Sequence, residues 1–299
     1  MQPGKISQIA PQIRRLLAPN PSPMTGPGTN SYLIGEGKDL ILLDPGPDDP
    51  AHLAALEAAL APGERLAAIV VTHAHKDHSA AAPRVAARSG APVLAFGDAT
   101  AGRSPLMQRL ATAGLPGGGE GVDTAFRPDH SLPDGAQIPC GSTHLRVIHT
   151  PGHMGGHICL AFGDVLFSGD HAMGWASSLI SPPDGDMGAY MASLARLAAA
   201  PWSLMLPGHG PEVTRVAERL ADLLTHRQSR EAEVLLALSH APATAQALTR
   251  RIYHSTPAPL LPAAQRNVLA HLLDLMDRNH ITCALPLGPE TIFTRSAPK

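Results

Sequence analysis

Thr72-His73-Ala74-His75-Lys76-Asp77-His78 places four potential metal ligands within six residues, and its reading decides the fold. The stretch before it, Leu66-Ala67-Ala68-Ile69-Val70-Val71, is continuously apolar and predicts a buried strand. The ligand-type side chains therefore emerge together where a strand ends. Imidazoles with a carboxylate and no thiolate suit zinc or a similar borderline divalent ion. Three later segments repeat the arrangement: Thr150-Pro151-Gly152-His153, Phe167-Ser168-Gly169-Asp170 and Leu206-Pro207-Gly208-His209-Gly210. Each sets a His or an Asp just after a strand-like run. Isolated surface histidines and a capping Asp would not all fall at strand ends.

These four segments, in this order, resemble the metallo-β-lactamase superfamily, whose pattern is HxHxDH followed by a His, a bridging Asp and a final His. The resemblance implies an α+β fold, an αββα sandwich with two metals at one edge. By position, it implies that His73, His75 and His153 hold the first ion and Asp77, His78 and His209 the second, with Asp170 bridging. Asp44, in Asp44-Pro45-Gly46-Pro47, resembles the superfamily's first-motif Asp, which supports the metal loop from behind. His157 is expected in a similar supporting role, and His171 in the lining of the substrate cleft. Zn2+, two per chain, is the expected cofactor, with Mn2+ or Fe as alternatives.

Length and composition frame this reading. At 299 residues, 44% hydrophobic and 16% charged, the chain can bury a substantial core and form one large domain with a small one. A net charge of −2 gives no overall attraction to nucleic acid or to an anionic membrane. No apolar run reaches membrane-spanning length, and the first residues lack a signal-peptide core. Cys140, Cys159 and Cys283 are widely spaced, without CxxC, which suits a reduced, cytoplasmic protein.

Strands are expected at Asn30 to Ile34, Leu40 to Leu43, Pro92 to Phe96, Leu145 to His149, Ile158 to Phe162, Val165 to Ser168 and Ser203 to Leu206. Helices are expected at Pro50 to Leu60, with Asp49 as N-cap, at Ser79 to Arg88 and at Met187 to Ala199. Residues 101 to 135, including Gly117-Gly118-Gly119-Glu120-Gly121, read as a long functional or mobile loop. After Glu212 the pattern becomes helical. Helices to about Leu238, over Thr244 to Ile252 and over Pro262 to Asp277 precede a two-stranded wing at Ile281 to Leu285 and Thr291 to Thr294. The division is a catalytic domain at 1–225 and a winged-helix-like subdomain at 226–299. This tail, with Gly26-Pro27-Gly28-Thr29-Asn30-Ser31-Tyr32-Leu33, Ser181-Pro182-Pro183-Asp184-Gly185-Asp186-Met187 and His226-Arg227-Gln228-Ser229-Arg230-Glu231, is similar to the β-lactamase-like protein 2 subfamily.

The resemblance implies a metal-dependent hydrolase in which a hydroxide bridging two divalent ions attacks a carbonyl or phosphorus. Asp77 is expected to orient the water or take its proton. Subfamily members include a single-stranded-RNA endonuclease, and close relatives include acyl-carrier-protein thioesterases. The first expectation is therefore a phosphodiester substrate, and the alternative is a thioester, lactone or lactam. Residues 226–299 carry eight Lys/Arg against five Asp/Glu, a mild basic bias short of a nucleic-acid stripe. Aromatic residues, at 3%, offer few stacking platforms. Arg227/Arg230 and Arg250-Arg251 read as solvated helix faces. If the tail does help bind substrate, it should pack beside the metal edge and turn Arg227, Arg230 or Arg251 toward it. No Ser-His or Cys-His nucleophile pair is recognisable.

Overall fold

The computed structural model describes residues 2–117 and 121–296. Gly118, Gly119 and Glu120 of the glycine-rich run lie outside the described residues. Chain order begins with a sheet of seven strands in sequential arrangement: β1 (Ile6–Ala10), β2 (Ile13–Leu17), β3 (Asn30–Ile34), β4 (Asp39–Leu43), β5 (Arg65–Val70), β6 (Val93–Ala95) and β7 (His130–Ser131). Pairing is antiparallel up to β4 and parallel from there, through helices that cross one face. Those helices are α1 (Pro50–Ala58), α2 (Lys76–Ser79) and α3 (Ala82–Ser89). Helix α1 starts as expected, with the Asp49 carboxylate accepting the His52 N–H at 2.8 Å. The single helix expected over Ser79 to Arg88 is instead two pieces, because Pro83 suits a fresh first turn but not a continuing one.

Residues 101 to 135 are not a structureless loop. They hold α4 (Pro105–Thr112), capped by Ser104, with Pro105 in its first turn and Met107 and Leu110 buried on one side. That apolar pair packs against Leu273 of the C-terminal tail. The helical signal was too short for the periodicity to register. The N-terminal hairpin β1–β2 was likewise not expected. Its register pairs Ile6 with Leu16 and Ala10 with Ile13, and Ile13, Leu16 and Leu17 are buried.

The second sheet has the order β12-β11-β10-β9-β8, from β8 (Gln137–Cys140), β9 (Thr143–His149), β10 (Ile158–Phe162), β11 (Val165–Gly169) and β12 (Leu204–Pro207). Between the two sheets lie Ile13, Tyr32, Ile41, Leu43, Val70, Leu145, Val147, Ile158, Leu160, Phe167 and Leu206. The outer face of the first sheet packs on α1 and α3. The outer face of the second packs on α5 (Met187–Ala198) and α6 (Val216–His240). This is the αββα sandwich, since each sheet has a continuous apolar face on both sides and must cover both.

Helix α6 runs straight through position 225/226. Its first half buries Val216, Leu220 and Leu223 in the sandwich core. Its second half buries Val234 and Leu238 among α7 (Ala245–Ile252), α8 (Leu261–Asp277) and a small sheet of β13 (Ala243–Thr244), β14 (Ile281–Cys283) and β15 (Ile292–Arg295). The wing and three helices form as read from the sequence. All three cysteines are free, and no helix among the described residues is long and apolar enough to cross a membrane.

Candidate metal centre

Asp44 follows β4, His73 follows β5, His153 follows β9, Asp170 follows β11 and His209 follows β12. Because β4–β5 and β11–β12 are parallel pairs, their ends fall on one edge of the sandwich. The edge is stitched across the two sheets by Asn30, whose amide nitrogen donates to the carbonyls of Pro207 at 3.0 Å and Gly210 at 2.9 Å. Backbone space is tight here. A Cβ at Gly208 would stand 2.4 Å from Asp170 Oδ1, so only glycine lets this turn approach the carboxylate.

The structure brings all seven expected ligand residues together. His73 Nε2 and His153 Nε2 lie 3.0 and 3.1 Å from His75 Nδ1. His78 Nε2 and His209 Nε2 lie 3.4 Å apart, at 3.4 and 3.3 Å from Asp77 Oδ2. Asp170 stands between the groups, 3.2 Å from His209, 3.4 Å from His78, 3.8 Å from His153 and 3.9 Å from His73. Its buried Oδ1 has no hydrogen-bond partner among the described residues.

The outward ring nitrogens explain why lone pairs face inward. The Thr72 hydroxyl donates to Asp44 Oδ2 at 2.9 Å, so at 3.0 Å it accepts from His73 Nδ1–H. His78 Nδ1–H donates to Asp44 Oδ2 at 2.9 Å, and His153 Nδ1–H donates to Leu179 O at 2.6 Å. His209 Nδ1–H donates to Gly28 O at 3.2 Å. Each of these bonds fixes the tautomer that leaves Nε2 free to ligate. An assembly of five imidazoles and two carboxylates with inward acceptors fits divalent ions. Three ligand groups meet that geometry: His73/His75/His153, His73/His78/Asp170 and Asp77/His78/His209.

Electrostatics divides the site. Burial, reinforced by neighbouring imidazoles, holds His73 well below its ordinary value and His75 down to about 3. For His78 and His209 burial also disfavours charge, but Asp77, Asp170 and, for His78, Asp44 outweigh it. His78 is held well above its ordinary value, and His209 rises to about 9. Burial raises Asp77 and Asp170, yet the facing histidines win and both carboxyls lie well below the usual range.

Asp44 sits at a φ of 50°, unusual for a residue with a side chain. It accepts from Thr72 N at 2.7 Å as well as from Thr72 Oγ1 and His78 Nδ1. His157 Nδ1 meets the Thr150 hydroxyl at 2.9 Å, and its Nε2 accepts from Asp170 N at 3.2 Å. It supports the bridge position through the backbone. His171 does not line an open cleft. It is fully buried, its ring 4.7 Å from that of Tyr190, with neither nitrogen hydrogen-bonded among the described residues. It lies in the turn after β11, where its backbone N–H donates to Ser168 O at 3.0 Å, and burial there holds it neutral, down to about 3.

The residues that sequence reading missed are supports. Thr29 Oγ1 donates to Asp77 Oδ2 at 3.1 Å. Ser178 Oγ donates to Asp170 O at 2.5 Å. Arg227, expected on a solvated face, is 1% exposed. Its guanidinium donates to Ser178 O and, at 3.2 Å, to Asn267 Oδ1, and lies over the Tyr190 ring. Asn267 Oδ1 also accepts from Ile180 N at 2.9 Å. The tail therefore grips segment 178–180, which holds both Asp170 and His153. Arg230 pairs with Glu233 at 2.7 Å and covers Tyr253, while Arg250 and Arg251 are exposed. No sequence pattern marks Arg227, since its helical register looks like any polar position.

Comparison with known proteins agrees with this geometry. Residues 24–209 match the metallo-β-lactamase superfamily, and residues 244–282 match the β-lactamase-associated winged helix domain. The chain is 30% identical over 268 residues to a β-lactamase-like protein 2 homolog of Caenorhabditis elegans, covering 88% of this chain and 83% of that one. It is 26% identical over 236 residues to an atrochrysone carboxyl ACP thioesterase of Aspergillus chevalieri, covering 78% and 68%. A β-lactamase domain protein from Burkholderia ambifaria, 23% identical, superposes with a TM-score of 0.80 over 99% of this chain and 95% of that one. The chain belongs to the metallo-β-lactamase superfamily.

Proposed function

We propose that this hydrolase cleaves a carbonyl substrate, a thioester, at a centre of two divalent ions. His73, His75 and His153 would hold one ion, Asp77, His78 and His209 the other, with Asp170 between them. The inward convergence of five imidazole nitrogens on two carboxylates carries this reading. When bound, such ions polarise the scissile carbonyl and lower the pKa of water from 15.7 to about 7. The protein's part is to orient. Asp77 has the most exposed side chain among the ligands that form ion pairs here, at 26%, and so faces arriving substrate. Its carboxylate would align the attacking water and take its proton. Water oxygen adds to the acyl carbon, the C–S bond breaks, and the leaving sulfur takes the proton, giving an acid and a thiol.

Two observations favour a thioester over a phosphodiester. One is the similarity to the A. chevalieri thioesterase. The other is that three of the tail's cationic groups are taken up by internal contacts. Arg227 is buried, Arg230 is paired with Glu233, and Arg278 is paired with Asp274 and Glu231. A phosphate backbone needs several free cations in a row.

The test is one zinc-loaded preparation assayed against acyl N-acetylcysteamine thioesters and a single-stranded RNA oligonucleotide. Thioester hydrolysis should be lost with chelator and in Asp77→Ala, and retained in the Cys→Ser variants at 140, 159 and 283. RNA cleavage without thioester turnover would overturn the substrate, and full activity in Asp77→Ala the assignment of Asp77.

A further inference from the structure

Trp175 is one of the few large apolar side chains left open to solvent, at 42% exposure, yet it is tightly held. Its indole Nε1–H donates to the carbonyl of His209 at 3.2 Å. Arg219 clamps the loop on both sides of it, donating from Nε to Met173 O at 2.7 Å and from Nη2 to Ala176 O at 2.8 Å. The ring lies over Gly26 and Gly210. A Cβ at Gly210, where φ is +84°, would come within 2.4 Å of Trp175 Cδ1. An exposed indole on an unconstrained loop would need no explanation. One fixed by three separate contacts has its binding conformation prepared in advance.

Its position gives it a use. His209 is a ligand of the second pocket, and the turn beneath the indole continues to Gly28, whose carbonyl accepts from His209 Nδ1. The next residue, Thr29, donates to Asp77. Asp77 is the ligand that solvent reaches most easily among those in ion pairs. The open side of the centre and the indole therefore share one lip. Met24, 44% exposed, stands on the same turn as Gly26 and adds a second apolar side chain.

We infer that Trp175, with Met24, forms an apolar lip that binds the hydrocarbon part of the acyl group and selects long or aromatic acyl substrates over short ones. This inference rests on the thioester reading, but its binding step can be measured apart from turnover. Trp175 is assigned to substrate selection and has no part in bond cleavage.

The experiment compares wild type, Trp175→Ala and Trp175→Phe, all metal-loaded, on octanoyl and acetyl N-acetylcysteamine thioesters. Trp175→Ala should raise KM for the octanoyl substrate roughly tenfold, as loss of a buried apolar contact implies, with kcat nearly unchanged. The acetyl substrate should be indifferent, and Trp175→Phe should recover most of the loss. Equal losses on both acyl lengths would overturn the inference and mark Trp175 as a structural support for His209. In parallel, octanoate binding is followed by quenching of Trp175 fluorescence in a Trp202→Phe background and by calorimetry in Trp175→Ala. Octanoate binding that Trp175→Ala weakens about tenfold supports the lip even if neither thioester is hydrolysed, in which case the reaction assignment alone fails. Octanoate binding of equal strength in wild type and Trp175→Ala would overturn the lip.

Discussion

The two pockets of the candidate metal centre use the same imidazole chemistry but hold their histidines in opposite protonation states. Around His73 and His75, burial and neighbouring rings keep the imidazoles neutral, His75 down to about 3. Around His78 and His209, burial works in the same direction, but the carboxylates outweigh it and His209 rises to about 9. What separates them is distance to carboxylate. Asp170 lies 3.2 and 3.4 Å from the second pair, but 3.9 and 3.8 Å from His73 and His153. Asp77 and Asp44 add to the second pocket. The first pocket thus presents lone pairs ready for a cation. The second holds protons that an ion must displace.

The largest expected effect comes from the residue the pockets share. Asp170→Ala should weaken metal binding in both and lower hydrolysis by more than the roughly 10–100-fold typical of losing an outer support. His209→Ala should instead leave one tightly bound ion per chain and remove the other. Metal analysis after exhaustive dialysis distinguishes them. If Asp170→Ala keeps the first ion at full affinity, the pockets are independent and Asp170 is no bridge.

Next in size is the support from the tail. Arg227 reaches Asp170 and His153 only through Ser178 and Leu179, so it is a positioning residue. Arg227→Met leaves the Ser178 carbonyl and the Asn267 amide short of a donor, costing about 1–3 kcal/mol of stability. Metal affinity should fall by roughly 10–100-fold, read well below the melting temperature. Ser178→Ala, which removes the bond to Asp170 O and leaves the Arg227 contacts in place, separates the two effects, since it should lower metal affinity with a smaller loss of stability than Arg227→Met. Unchanged metal affinity in both variants would confine the tail to a stability role.

The contrast between these layers also explains what the sequence could disclose. The candidate ligands were legible because a metal site draws on His and Asp at strand ends, and strand ends are marked by apolar runs that stop. The capped helix α1 and the wing followed from the same periodicities, while the sandwich followed from the resemblance that the four segments carry. Arg227, Asn267 and Ser178 were not legible. Their roles depend on which tertiary surface a helix position meets, and polar residues on helices carry no signature of that. His171 was misplaced for a related reason. Adjacency to Asp170 in sequence does not put both side chains in one space, because the two residues lie in the tight turn after β11, where His171 N–H donates to Ser168 O. Helix α4 was hidden because a two-turn helix shows only one apolar repeat, and its partner Leu273 lies far along the chain.

The smallest effect is graded with pH and probes the charge difference directly. An ion entering the second pocket must displace a proton from His209, whose value of about 9 keeps it protonated at neutrality. Affinity there should rise about tenfold per pH unit for each proton released, up to about pH 9, and then level off. His73 and His75 should release none over that range, so first-pocket affinity should depend on pH less steeply. Zinc calorimetry in buffers of different ionisation enthalpy counts the protons directly. The metal-free fold should show the reverse sign. Protonated His209 contributes stability that is complete below its ordinary value of 6.5 and is lost as pH rises through about 9. His75 contributes stability complete above 6.5, lost as pH falls toward about 3. Thermal melts of His209→Gln against the parent, both stripped of metal, isolate the first contribution. The parent's advantage should shrink between pH 7 and 9.5. An advantage that stays constant over that interval would mean that His209 is neutral in the folded chain, and that the two pockets do not differ in charge as argued.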